Sequence, residues 1–123
     1  MKNVYTWAAK PAKRSTTVGD LKAAKGKKKF TQVTANTVDE AAAAEKAGFD
    51  MIIANAKNII PVREGSKNLF LTAALVLNEF VTADDIMRGA FKALENGADA
   101  VMTPRSMDIV EMLAKEDVPV MGH

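Results

Sequence analysis

The chain of 123 residues and 13.2 kDa has room for one domain, and its lack of cysteine excludes a disulfide framework, a thiolate nucleophile and a Cys-ligated zinc. Hydrophobic residues make up 48%, charged residues 26% and aromatics 6%, the balance of a soluble folded protein. The net charge of +2 conceals an asymmetry: residues 1–29 carry nine Lys or Arg and one acid, a net +8, and the remainder carries a net −6.

No apolar run approaches the roughly 18 residues of a membrane span. The basic N-terminus also lacks the apolar core of a secretion signal, so the expected address is cytoplasmic. Residues 1–29 read as a basic leader in which Thr17 caps a short helix through Val18, Leu21 and Ala24. Such charge suits a nucleic-acid or anionic-surface arm. With only Tyr5 and Trp7 as stacking aromatics and no reading module, it is better explained as a solvated leader, with one helix plugging an end of the sheet.

Residues 30–123 read as a single (β/α) domain. Residues 30–35 (FTQVTA) form a short strand, and Thr37 with Glu40 three residues later makes a capping box for a helix through Ala47, which Gly48 stops. Residues 50–54 (DMIIA) are a compact buried-strand run, and residues 69–76 are a third apolar run. Between them, Pro61 and the GSKN loop signal of residues 65–68 leave no full helix expected. Thr82 caps a helix with Ile86, Ala90, Phe91 and Leu94 on one face and Asp84 and Asp85 in its first turn, where the helix dipole favours them. After Asn96-Gly97 comes a strand over residues 98–103. Ser106 caps a last helix with Ile109, Val110, Leu113 and Ala114 inward, and residues 118–121 close as a strand.

One phrase recurs in AEKAGFDMII, ALENGADAVM and LAKEDVPVMG: helix, small turn, acidic residue, apolar strand. That alternation predicts five parallel strands covered by helices. Two α/β architectures fit, half of a (β/α)8 barrel or an open doubly wound sheet. Strand order separates them, sequential for the half barrel and 2-1-3-4-5 for the other. A half barrel leaves sheet edges open, which calls for a homo-oligomer or a C-terminal half-barrel partner and not for a membrane or nucleic acid.

Chemistry-bearing residues are few. His123, the only histidine, offers neither a triad nor a multi-His metal site. No GxGxxG or P-loop pattern is present, and Met51, Met87, Met102, Met112 and Met121 fall in core phases. The polar residues at predicted strand ends, where parallel α/β folds place their ligands, are Asn36, Asn55, Lys57, Asn78, Glu79, Arg105 and His123. Asn55, Lys57, Glu79, Arg105 and His123 are the candidate substrate-binding residues. The set suits a small anion or 2-oxo acid better than Mg²⁺, which wants several oxygen ligands.

VPVMGH at the C-terminus, the GADAV phrase before it and KKKFTQVTA after a Thr-Val-Xaa-Asp-Leu leader together resemble the N-terminal half of ketopantoate hydroxymethyltransferase, over residues 16–123. The resemblance implies a (β/α)8 barrel of the phosphoenolpyruvate/pyruvate superfamily, with a helix after the second strand. It also implies one-carbon transfer from methylenetetrahydrofolate to 2-oxoisovalerate, with Mg²⁺, in pantothenate biosynthesis. Carried over residue by residue, the family's Gly-Asp-Ser falls on Asn55-Ala56-Lys57 and its next metal-site Asp on Ala74. Its substrate Lys and metal-shell Glu fall on Met102 and Pro104. His123 alone matches, at the histidine that contacts the oxo acid, and the general-base Glu has no counterpart within residues 1–123. The expectation is a divergent relative without the metal carboxylates and without a confident cofactor or catalytic residue. The alternatives are a metal-independent binder or enzyme for another small anion, and a non-catalytic interaction or dimerisation protein.

Overall fold

The computed structural model describes residues 1–123. Two strands, β1 (Lys2–Tyr5) and β2 (Pro11–Arg14), form an antiparallel hairpin, followed by helix α1 (Val18–Ala23). The main domain then alternates β3 (Gln32–Thr34), α2 (Val38–Lys46), β4 (Met51–Asn55), a 3-10 turn (Ala56–Asn58) with α3 (Ile59–Gly65), β5 (Phe70–Ala74), α4 (Ala83–Glu95), β6 (Ala100–Thr103), α5 (Met107–Lys115) and β7 (Val120–Gly122). All pairings in this sheet are parallel and its order is β3-β4-β5-β6-β7. Sequential order sets the fold as a partial (β/α) barrel and removes the doubly wound alternative.

Local chemistry explains most elements. Thr17 and Thr82 each accept the backbone N–H three residues on, and Asp20 and Asp85 return the bond to the caps, so α1 and α4 begin with complete capping boxes. At α2 the expected box is half made. Thr37 accepts from the Glu40 N–H, but the Glu40 carboxylate reaches one residue further back, to the Asn36 N–H at 3.0 Å. Ser106 stands at the N-cap of α5 without a side-chain bond.

Three further expectations are corrected. A helix does follow β4: Pro61 falls in the first turn of α3, where its missing N–H costs nothing. Gly65 lets α3 lie against α2, since a Cβ there would stand 2.1 Å from the Val38 carbonyl oxygen. Phe91 is not on the inner face of α4. Ala93 is buried with Ile86, Ala90 and Leu94, while Phe91 turns outward and stacks on Trp7 with ring centroids 5.6 Å apart. Finally, the basic leader is not merely solvated, because within it Arg14 and Thr16 are buried.

The principal core lies between the sheet's outer face and its helices, with Ile52, Ile59, Leu71, Leu75, Leu94, Val101 and Leu113 at its centre. The alternate strand residues face the concave side. There α1 covers only the N-terminal end of the strands, where Val18 and Leu21 pack on Met51, Phe70 and Ala100. Above that plug Ile53, Ala74, Met102 and Met121 remain half-buried.

Candidate functional site at the C-terminal strand ends

The two ends of the sheet are built differently. At the N-terminal end Arg14 Nε donates to both oxygens of Asp99, at 2.9 and 3.0 Å, and Arg63 Nη2 donates to Asp99 Oδ2 at 2.8 Å. Asp99 also accepts the Leu71 N–H at 2.9 Å, and the two guanidiniums reach the carbonyls of Lys13, Ser66, Lys67, Leu69 and Gly97. Burial draws the Arg63 pKa down to about 10, with Asp99 opposing and Arg14 adding to the fall. Every strong bond here joins one protein group to another, as in a structural clamp tying the hairpin, the α3–β5 turn and the α4–β6 turn together.

At the C-terminal end the bonds are sparser. Asn36 follows β3, and its Oδ1 accepts from the Asn55 N–H at 2.8 Å and from Asn58 Nδ2 at 3.1 Å. Asn55 ends β4, and its Oδ1 caps the 3-10 turn by accepting from the Lys57 N–H at 2.9 Å. That turn aims Lys57 across to the loop after β5, where its Nζ lies 3.2 Å from Glu79 Oε2. Arg105, after β6, holds the same loop, with Nη2 donating to the carbonyls of Leu77 and Phe80 at 3.0 and 3.1 Å. Its Nε is buried without a partner.

Of the five candidate residues, Asn55, Lys57, Glu79 and Arg105 therefore gather over β4, β5 and β6. His123 stands apart, exposed at the end of the edge strand β7. Asn36 and Asn58 act as a scaffold for Asn55, a role their positions alone do not reveal. The Arg14, Asp99 and Arg63 clamp also lies outside the sequence reading, although the recurrent acidic residue before each strand was its signal. Asp50 makes the equivalent tie before β4, accepting from the Thr31 N–H at 2.8 Å, and that bond holds its pKa below the usual carboxylate value.

The Mg²⁺ implied by the resemblance does not fit this end. No group of three His, Asp or Glu side chains is placed to hold a metal ion. Ala56, Ala74 and Pro104 offer no side-chain oxygen, and the nearby Glu79 is already paired to an ammonium. The arrangement sets an ammonium paired to Glu79, a guanidinium bonded to two loop carbonyls and the Asn55 amide along one rim.

No family model matches the chain. The chain is similar to 3-methyl-2-oxobutanoate hydroxymethyltransferases, at 31% identity to that of Pyrococcus furiosus over 80% of this chain and 44% of the relative. The enzyme of Pyrobaculum calidifontis is 30% identical over 90% of this chain and 51% of the relative. That of Deinococcus radiodurans is 41% identical over half of this chain and 24% of the relative. The chain thus spans about half the length of the longer-matching relatives. Among solved structures, a protein described as a deoxyribose-phosphate aldolase from Coccidioides immitis superposes with a TM-score of 0.57 at 24% identity, over 69% of this chain and 43% of that one. This likeness bears on the fold alone.

Proposed function

We propose that the chain is a divergent relative of the 3-methyl-2-oxobutanoate hydroxymethyltransferases that binds a small anion of the 2-oxo acid class without a metal ion, in the cytoplasm. The observation that carries this is the Lys57–Glu79 pair, which stands at the end of β4 beside positions where the family's metal carboxylates fall on alanine. A ligand carboxylate competes with the Glu79 carboxylate for the Lys57 ammonium, and Arg105 and Asn55 supply further donors at the same rim. Charge-assisted hydrogen bonds of this kind contribute about 1.5–3 kcal/mol each where they are shielded from water. Hydroxymethyl transfer itself is named for proteins about twice as long. An enolate would also lack the several kcal/mol that a bound divalent ion provides, so on this chain the reading is binding without enolisation.

Calorimetric titration with 2-oxoisovalerate in EDTA tests it. Binding is expected with the same affinity when Mg²⁺ replaces EDTA, together with no exchange of the C3 proton. Binding that requires Mg²⁺, or no heat at any concentration, would overturn the reading.

A further inference from the structure

We infer that two copies of this chain close into one ten-stranded parallel barrel about a twofold axis along the barrel, each seam formed by β7 of one protomer against β3 of its partner. A parallel sheet is stable when both faces are covered. Here helices cover one face, while Ile53, Ala74, Met102 and Met121 stay half-buried on the other. A groove of about 410 Å³, lined by Val18, Leu21, Phe70, Ala100, Pro119 and Met121, opens on that face beside β7.

The sheet has two free edges, β3 and β7, and its five strands run in one direction. A twofold axis parallel to the strands sets β7 against the partner's β3 in parallel, and the same operation closes the second seam. Pairing β7 with β7 would leave both β3 edges open. Barrel diameter grows with strand number, so ten strands leave room for an α1 plug from each copy.

Charge marks the second copy as the occupant. The chain enters β3 through Lys27-Lys28-Lys29 and enters β7 through Glu116-Asp117, all exposed and all at the N-terminal ends of their strands. Neighbouring parallel strands place these two segments side by side at each seam. Within one chain the acidic residues before β4 and β6 are tied to the adjoining strand, Asp50 to Thr31 and Asp99 to the Leu71 N–H. Glu116 and Asp117 form no ion pair, nor do the three lysines, of which Lys28 lies 4.7 Å over the Phe30 ring and within electrostatic reach of Asp50. At the other end of each seam His123 of one protomer meets Asn36 of its partner, so the two ligand rims share one mouth. The inference rests on the sheet edges and stands apart from the identity of the ligand.

Sedimentation equilibrium of the 123-residue chain is expected to give twice 13.2 kDa. A monomer would overturn the proposal, including the case in which a separate half barrel is the true partner. The Lys28→Glu/Lys29→Glu variant is expected to weaken the dimer roughly tenfold at low salt, and adding Glu116→Lys to restore it. The chain has no cysteine, so a Thr34→Cys/Met121→Cys variant gives an unambiguous cross-link: three strands separate the two positions within one chain. Oxidation is expected to stop at a covalent dimer. A ladder of longer species would show open head-to-tail association, and no cross-link at all would show that the edges do not meet; either result refutes the closed ring.

Discussion

The two ends of the sheet divide the work. At the N-terminal end Asp99 is shared by two largely buried guanidiniums and a backbone N–H, and those guanidiniums satisfy five carbonyls from the hairpin and two turns. At the C-terminal end Lys57 is mostly exposed, its one ion pair is to a loop carboxylate, and Arg105 Nε has no partner. The difference teaches that charge in this molecule is structural where it is largely buried and bonded on several sides, while the Lys57–Glu79 pair at the other end is more exposed. In barrels of this kind stability residues gather at the N-terminal face and ligand residues at the C-terminal one.

Substitutions that break the comparison should differ in kind as well as size. Asp99→Ala leaves Arg14 and Arg63 buried without their carboxylate and is expected to cost about 3–5 kcal/mol, read from the urea midpoint. Gly65→Ala drives a methyl into the Val38 carbonyl and is expected to cost about 1–3 kcal/mol, with the α2–α3 contact loosened. Lys57→Ala is expected to change stability by less than about 0.5 kcal/mol, since exposed pairs contribute little, yet to weaken 2-oxoisovalerate binding about tenfold. Glu79→Gln removes the competing carboxylate and is expected to tighten the same binding severalfold.

The smallest effect is with acid. Asp20, bonded to Lys2 and Thr17, Asp50, bonded to Thr31, and Asp85, bonded to Thr82, all have pKa values held below the ordinary 3.8. Because folding lowers these values, their contribution is complete above the unfolded value and is lost as pH falls through the folded ones. Stability should therefore be flat from pH 7 to about 5 and decline below about pH 4, and Asp50→Asn should shallow that decline in urea titrations.

The strands were legible because each is an apolar run behind an acidic residue, and the helix starts because Thr17, Thr37 and Thr82 are local caps. Helix α3 was not legible: Pro61 reads as a breaker until its place in the first turn is known, and the close approach at Gly65 is tertiary. Nor was the hairpin, whose turn places Ala9 at φ 59° without the glycine or asparagine that would announce it. The site was legible in part. Strand-end position found Asn55, Lys57, Glu79 and Arg105, but the contacts that join them depend on the loop after β5. His123 remained at an edge that the single chain does not close.

We propose the C-terminal rim as a metal-free anion receptor. An NMR titration of the ¹⁵N-labelled chain with 2-oxoisovalerate in EDTA tests this most directly. Saturable shifts are predicted at the amides of Asn36, Asn55, Lys57 and Arg105, with Leu71 and Asp99 unmoved. Shifts that appear only on adding Mg²⁺, or that centre on the Arg14, Asp99 and Arg63 clamp, would contradict it.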